Sequence, residues 1–335
     1  MVGVATTSWS AETGVGRYLR HRYPYYNRLQ YRRSGAVGGS VDRINDARIE
    51  IEGSVARPLV GGAFHHRIGL LYADVKLLTS GPTWGRRRSV GWDHPDPVWD
   101  ALCARTSALA QELRAQPFID GTDPRETELV ELCGVLALYE QVDVSRKPLP
   151  ITEVPARASL DELRSWIGPD VVADVIRMTV LFCERFPRDL FTGPVLVEVN
   201  LHPGQADLIL GGLLLELKTV VSPLISDDYA YTLLAYALMA DDALPAGTGI
   251  THVGWYFARH GTPWIYTVDD FISAFAGERV SLQAAAAEFK VLEMSESLWL
   301  EMSEWQWMVE LMRTPVTRDR LSRPHRAGPT SASAR

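Results

Sequence analysis

Residues 206–219 read Ala-Asp-Leu-Ile-Leu-Gly-Gly-Leu-Leu-Leu-Glu-Leu-Lys-Thr, two apolar runs around a Gly-Gly pair, interrupted by three charges, Asp207, Glu216 and Lys218. A Gly-Gly pair readily adopts the positive φ angles of a two-residue hairpin turn. The sequence therefore predicts antiparallel pairing of Leu210 with Leu213, Ile209 with Leu214, Leu208 with Leu215, and Asp207 with Glu216. Residues opposed in this way have Cβ atoms about 4.5–5.5 Å apart, so the two carboxylates become neighbours. Lys218 lies two residues beyond Glu216 and falls on the same face. Leu208, Leu210, Leu213, Leu214, Leu215 and Leu217 leave such a hairpin little room for a wet side. It belongs in a sheet covered by helices on both faces, and each charge within it calls for a partner or a function.

Two like charges side by side weaken a strand pair unless something cationic lies between them. A divalent metal with oxygen ligands meets that need, and Mg²⁺ typically takes one or two carboxylates and keeps waters in its other positions. Lys218 then stands where it can orient or deprotonate a metal-bound water, or steady negative charge in a transition state. The plainer alternative is a solvent-facing strand in which Lys218 bridges to a carboxylate; the apolar company of the three charges argues against it.

An Asp, a short hairpin and then Glu-x-Lys resembles the catalytic core of the PD-(D/E)XK nuclease superfamily. The run 227–241 (DDYAYTLLAYALMAD) is similar to the amphipathic helix that follows this core in RecB-like members, with Tyr236 at the tyrosine position and Thr232 where glutamine is usual. Residues 252–261 (HVGWYFARHG) resemble the next core strand. The likeness spans roughly residues 170–275. The whole chain also resembles a group of actinobacterial proteins of uncharacterised function. The superfamily resemblance implies a restriction-endonuclease-like α/β core and a Mg²⁺- or Mn²⁺-dependent nuclease, with DNA favoured over RNA as substrate. It implies Asp207, Glu216 and Lys218 as catalytic residues, with Asp207, Glu216 and the Leu217 carbonyl as metal ligands. DNA repair and phage defence both suit such an activity. The alternative is a catalytically silent nucleic-acid-binding or scaffold protein that retains the nuclease fold.

Further candidates surround the triad. A two-carboxylate site is often completed by another acid or a histidine. Glu184, Glu140 in the run LALYEQV, and Glu198 on the first core strand are the acidic candidates. His65 and His66 follow Gly61-Gly62 and resemble the early metal-binding histidine of some RecB-like nucleases. Gln205, by extension of the hairpin pairing, lies opposite Lys218 and is placed to meet a phosphate or a metal-bound water. For the acids, solvated or helix-face positions remain open, and for the histidines a tight helix start does.

Composition narrows the function classes. The 335 residues are 46% hydrophobic and 22% charged, ordinary values for a globular chain. No uninterrupted apolar run reaches the length of about 18 residues that spans a bilayer, and residues 1–14 lack a basic start followed by an apolar stretch. A cytoplasmic location without membrane association is the expectation. The three cysteines, Cys103, Cys133 and Cys183, are dispersed, which argues against the four-cysteine iron–sulfur cluster of some RecB-like exonucleases. No G-x-x-x-x-G-K-[ST] loop is present, so no nucleotide cofactor is expected and any ATPase or sensing function falls to a protein partner.

The net charge of −7 is unlike that of a nucleic-acid binder, but the distribution is uneven. Residues 13–41 hold Arg17, Arg20, Arg22, Arg28, Arg32 and Arg33 and no acid, interleaved with Tyr18, Tyr23, Tyr25, Tyr26 and Tyr31. Arginine with tyrosine suits phosphates and stacked bases; a helix with packed tyrosines and solvated arginines explains the same pattern. Arg86-Arg87-Arg88 forms a second cluster, and the segment after Met312 adds six arginines against one Asp.

The expected organisation has three parts. Residues 1–155 form a mainly helical region, with helices at 58–77, Val98–Gln116 and Arg125–Val142. Residues 156–312 form the α/β core, a small mixed sheet flanked by helices, running helix, strand, hairpin, helix, strand. Residues 313–335 form a disordered basic tail. The Pro148, Pro150 and Pro155 stretch reads as a linker, Ser159 with Glu162 as a capping box, and Gly168-Pro169 as a helix start. Trp299, Trp305 and Trp307 lie on a last helix, 295–312, beside Leu298, Met302 and Met308, and read as packing residues.

Overall fold

The computed structural model describes residues 14–25, 56–73, 97–116, 121–145, 159–187, 193–201, 204–221, 223–244 and 248–293. In chain order these form α1 (Gly14–Arg22), α2 (Ala56–Tyr72), α3 (Pro97–Arg114), α4 (Pro124–Ser145), α5 (Leu160–Ser165), α6 (Pro169–Arg185), β1 (Val195–Leu201), β2 (Gly204–Leu210), β3 (Leu213–Lys218), α7 (Asp227–Ala243), β4 (His252–Phe257), β5 (Thr262–Thr267), α8 (Val268–Ala276) and α9 (Leu282–Glu293). The sheet order is β1-β2-β3-β4-β5. Neighbours pair antiparallel except β3 and β4, which run parallel. A parallel pair needs a long crossover, and α7 is that crossover.

The hairpin forms as its residues dictate. Gly211 and Gly212 have φ of 53° and 95°, the left-handed pair of a tight β-turn. Leu210, Ile209 and Leu208 pair with Leu213, Leu214 and Leu215. Both faces are covered. Leu208, Leu210, Leu213, Leu215 and Leu217 belong to one apolar cluster with residues of α2–α6, while Ile209 and Leu214 belong to a second with residues of α1, α7, α8 and α9. The molecule is thus a mixed sheet between two helical layers, the α/β class expected.

The helix starts follow local sequence signals. Ser159 Oγ accepts the Glu162 backbone N–H at 3.2 Å, Pro124 and Pro169 open α4 and α6, and Asp123 accepts the Arg125 N–H at 2.8 Å. Three features differ from expectation. Gly61-Gly62 lies inside α2, not at its entrance. The strand expected over 252–261 ends at Phe257, and residues 258–260 form a short 3₁₀ turn leading into β5, a strand the sequence reading lacked. The expected boundary at 155 does not separate two cores: α2 and α4 share one apolar cluster with α6 and the sheet. Residues 148–155, Arg86–Arg88, the 295–312 segment and the 313–335 tail lie outside the described residues.

Candidate active site

Glu216 and Lys218 project from the end of β3. The Glu216 side chain is 5% exposed, and its Oε2 accepts from Lys218 Nζ at 2.8 Å. Its other oxygen, Oε1, is buried without a hydrogen-bond partner. Burial, reinforced by the charge of Asp207, pushes the Glu216 carboxyl above the usual range, against the opposing pull of Lys218 and His65. For Lys218 burial disfavours the ammonium, but Glu216 and Asp207 outweigh it and hold the group firmly protonated. The charge of Asp207 acts on both residues.

The pairing itself stops one step earlier than expected. The β2–β3 ladder ends at Leu208 and Leu215, and beyond it Asp207 Oδ2 accepts the Leu217 backbone N–H at 2.7 Å. The carboxylate takes over from the ladder and ties β2 to the strand carrying the other two charges. Gln205 consequently does not face Lys218. It pairs with Asn200 of β1, and its amide donates to the Glu198 carbonyl at 3.0 Å and to Glu198 Oε2 at 3.4 Å. Once the strands part past Leu208, β1 is the only ladder left to hold it.

The reason lies in β1. Glu198 has φ of 49°, the one described non-glycine residue with a left-handed backbone, a conformation that costs an L-residue about 1–2 kcal/mol. Alternation reverses there: Val195 and Val197 pack toward α2 and α6, whereas Val199 and Leu201 pack toward α7. β2 repeats the reversal, with Leu208 and Leu210 on one side and Ala206 on the other. The ladder pairs residues regularly on both sides of this step and omits Glu198 and Asp207. Both acids turn toward α2, where each meets a histidine. Asp207 Oδ1 is 3.4 Å from His65 Nδ1, and Glu198 Oε1 is 3.7 Å from His66 Nδ1. His65 Nε2 lies 3.2 Å from the Leu217 carbonyl oxygen. His65 therefore contacts two of the three groups expected to bind metal, and its side chain is 35% exposed. His66 is buried.

α2 can approach this closely because of Gly61. A Cβ at that position would lie 3.1 Å from Thr219 Oγ1. One helical turn later, on the same face, comes His65. Thr219 itself is fixed from the other side: its carbonyl accepts Arg259 Nε at 2.8 Å, Arg259 also reaches Asp174 at 3.1 Å, and the Val221 carbonyl lies 2.9 Å from His260 Nε2. The Arg-His-Gly that follows β4 thus anchors the chain leaving Lys218. Tyr236 of α7 reaches β2 from the opposite layer. Its hydroxyl accepts the Gln205 N–H at 3.3 Å, and burial, with the charges of Glu216 and Asp207, pushes its ionisation well above the ordinary value. Sequence reasoning missed Tyr229, whose ring face lies 4.8 Å from Lys218 Nζ. Its place in the first turn of the helix after the hairpin was the available signal.

The remaining candidates are Glu184, Glu140 and the arginines of residues 17–33. Glu184 is exposed in the last turn of α6, and the side chain of Glu140 in α4 lies outside the described part. Arg20 bonds Asp227 and Asp228 of α7 at 2.5 and 2.8 Å and covers the Tyr231 ring; Arg22 bonds Glu288 of α9 at 2.8 Å. These two guanidinium groups clamp α1 to the protein instead of projecting to a ligand. The side chain of Arg17 and all of Arg28, Arg32 and Arg33 lie outside the described residues.

Among the described residues no three His, Cys, Asp or Glu side chains form a metal-holding group. The acidic groups at hand are the Asp207 and Glu216 carboxylates beside the Leu217 carbonyl, and Glu216 Oε1 is buried without a hydrogen-bond partner. No described helix is long and apolar enough to cross a membrane. Comparison with protein-family models, with curated proteins and with solved structures finds no match.

Proposed function

We propose that this chain is a Mg²⁺- or Mn²⁺-dependent phosphodiesterase that cleaves nucleic acid, DNA in preference to RNA, with a restriction-endonuclease-like core. The observation that carries this reading is Glu216. A carboxylate that is buried, raised in pKa and left with one oxygen unpartnered is costly to keep, and it stands beside a second carboxylate and a lysine. The sheet supports the fold half of the reading: Asp207 and Glu-x-Lys sit on adjacent antiparallel strands, followed by a crossover helix and a parallel strand.

Asp207, Glu216 and the Leu217 carbonyl would hold the ion, with His65 over Asp207 and the carbonyl. When bound, the ion supplies a water of lowered pKa and offsets charge on the phosphate. Lys218, kept as an ammonium by its two acidic neighbours, meets the negative charge that builds on the phosphate oxygens. Arg259 and His260 hold the segment after Lys218 in place, and Tyr236 accepts the Gln205 N–H of β2. Both DNA repair and defence against phage DNA suit this chemistry, and a separate motor or sensor protein suits a chain without a phosphate loop.

The second reading, a silent binding or scaffold protein, has its own support: both Asp207 oxygens and the Leu217 carbonyl already face protein groups. Plasmid, linear and single-stranded DNA incubated with the purified protein in Mg²⁺ or Mn²⁺ separates the two. Cleavage by the natural protein and none by Lys218→Ala supports the enzyme; all three DNAs intact in both metals overturns it.

A further inference from the structure

Lys218 is one of four lysines in a chain with 34 basic residues, the rest arginine. Its Nζ contacts Glu216 Oε2 at 2.8 Å on one side and lies 4.8 Å from the centre of the Tyr229 ring on the other. An ammonium over an aromatic face is held by the ring quadrupole, more strongly as water is excluded, and the Lys218 side chain is only 18% exposed. The ring is in turn fixed by its place in the fold. Tyr229 lies in the first turn of α7, where its backbone N–H donates to the N-cap Ser226 Oγ at 3.2 Å. The two residues before it, Asp227 and Asp228, are gripped by Arg20 of α1, whose guanidinium also lies 4.6 Å from the Tyr231 ring centre.

We infer that Tyr229 is a positioning residue for Lys218: its ring face, and not its hydroxyl, sets the direction in which the ammonium points beside Glu216. A lysine chain has four rotatable bonds, and Glu216 alone fixes the distance of the ammonium but not its bearing. The ring supplies the second restraint, and α1, through Arg20, holds the helix end that carries the ring. This role rests on the phosphodiesterase reading for its consequence in catalysis, but not for the contact itself.

Two readouts on the full chain test it. The first is NMR of protein labelled with ¹³C-lysine, in which Lys218→Arg identifies the Lys218 ε-signal among four. Ring current from Tyr229 should shift that signal upfield, Tyr229→Phe should retain the shift, and Tyr229→Leu should abolish it. The second is DNA cleavage in Mg²⁺. Tyr229→Phe should stay within about twofold of the natural rate, while Tyr229→Leu should lower kcat by about tenfold with KM unchanged. If Tyr229→Leu fails to fold, Tyr229→Met carries the same measurements. A Lys218 signal unmoved by losing the ring, or a ring-less variant that cleaves at the natural rate, overturns the inference. If the natural protein cleaves no DNA, the phosphodiesterase reading falls separately and the lysine signal alone decides whether the ring holds the ammonium.

Discussion

Two buried carboxylates, some way apart in the fold, have been treated in opposite ways. Glu126 of α4 is 1% exposed and faces Arg67 of α2, 2% exposed, through two parallel hydrogen bonds of 2.6 and 2.8 Å. Each carboxylate oxygen has its own guanidinium N–H, the bidentate geometry in which a buried charge is best compensated. Glu216 is nearly as buried, yet one oxygen takes a single bond from a lysine and the other has none, with a second acid close by. The first pair locks two helices of one layer. The second leaves a site under electrostatic tension that a cation would relieve. Burial alone therefore does not distinguish the two carboxylates; incomplete compensation does.

The contrast can be broken most violently at its structural end. Arg67→Ala leaves Glu126 buried and unpaired and should cost about 3–5 kcal/mol, read as a lowered urea midpoint. Lys218→Ala should lower stability much less, because the raised carboxyl of Glu216 can take up a proton instead, while cleavage in Mg²⁺ drops by at least about a hundredfold. The cation itself should act on one side only. At a concentration a hundred times its Kd, Mg²⁺ should stabilise the natural protein by about 2.7 kcal/mol in thermal unfolding, and Asp207→Asn should remove that gain.

A weaker effect concerns pH. Folded Glu216 holds its proton more tightly than the unfolded chain does. Its contribution to the stability of metal-free protein is therefore greatest below the ordinary carboxylate range, and it is lost as pH rises through the raised folded value. Denaturant melts at successive pH values should show this decline, and Glu216→Gln should flatten it. The smallest change in stability belongs to Gly61→Ala. Better helix propensity, worth about 1 kcal/mol, offsets the crowding of Thr219 Oγ1 at 3.1 Å. The His65 contacts to Asp207 and the Leu217 carbonyl should lengthen with it.

The hairpin was legible because two local rules specify it: a Gly-Gly turn and a period of two. The three correctly read pairs follow from those rules alone. What failed was the next step, at Asp207. The reversal that turns it toward α2 comes from one backbone angle at Glu198 on a different strand, and glutamate is not a residue type that announces positive φ. Gln205 was misplaced for the same reason. β5 was missed because TPWIYT contains Pro263, which reads against a strand; in the fold it sits on the sheet edge, where a missing N–H is tolerated. Arg20 and Arg22 were ambiguous because their partners lie more than 200 residues away in sequence, beyond any local pattern.

Titration calorimetry with Mg²⁺, comparing the natural protein with Asp207→Asn, decides whether the three charges hold a cation. Saturable binding to the natural protein that disappears in the variant is the result predicted for a site built around an under-compensated carboxylate. Absence of binding to the natural protein, or binding that Asp207→Asn leaves intact, would contradict it.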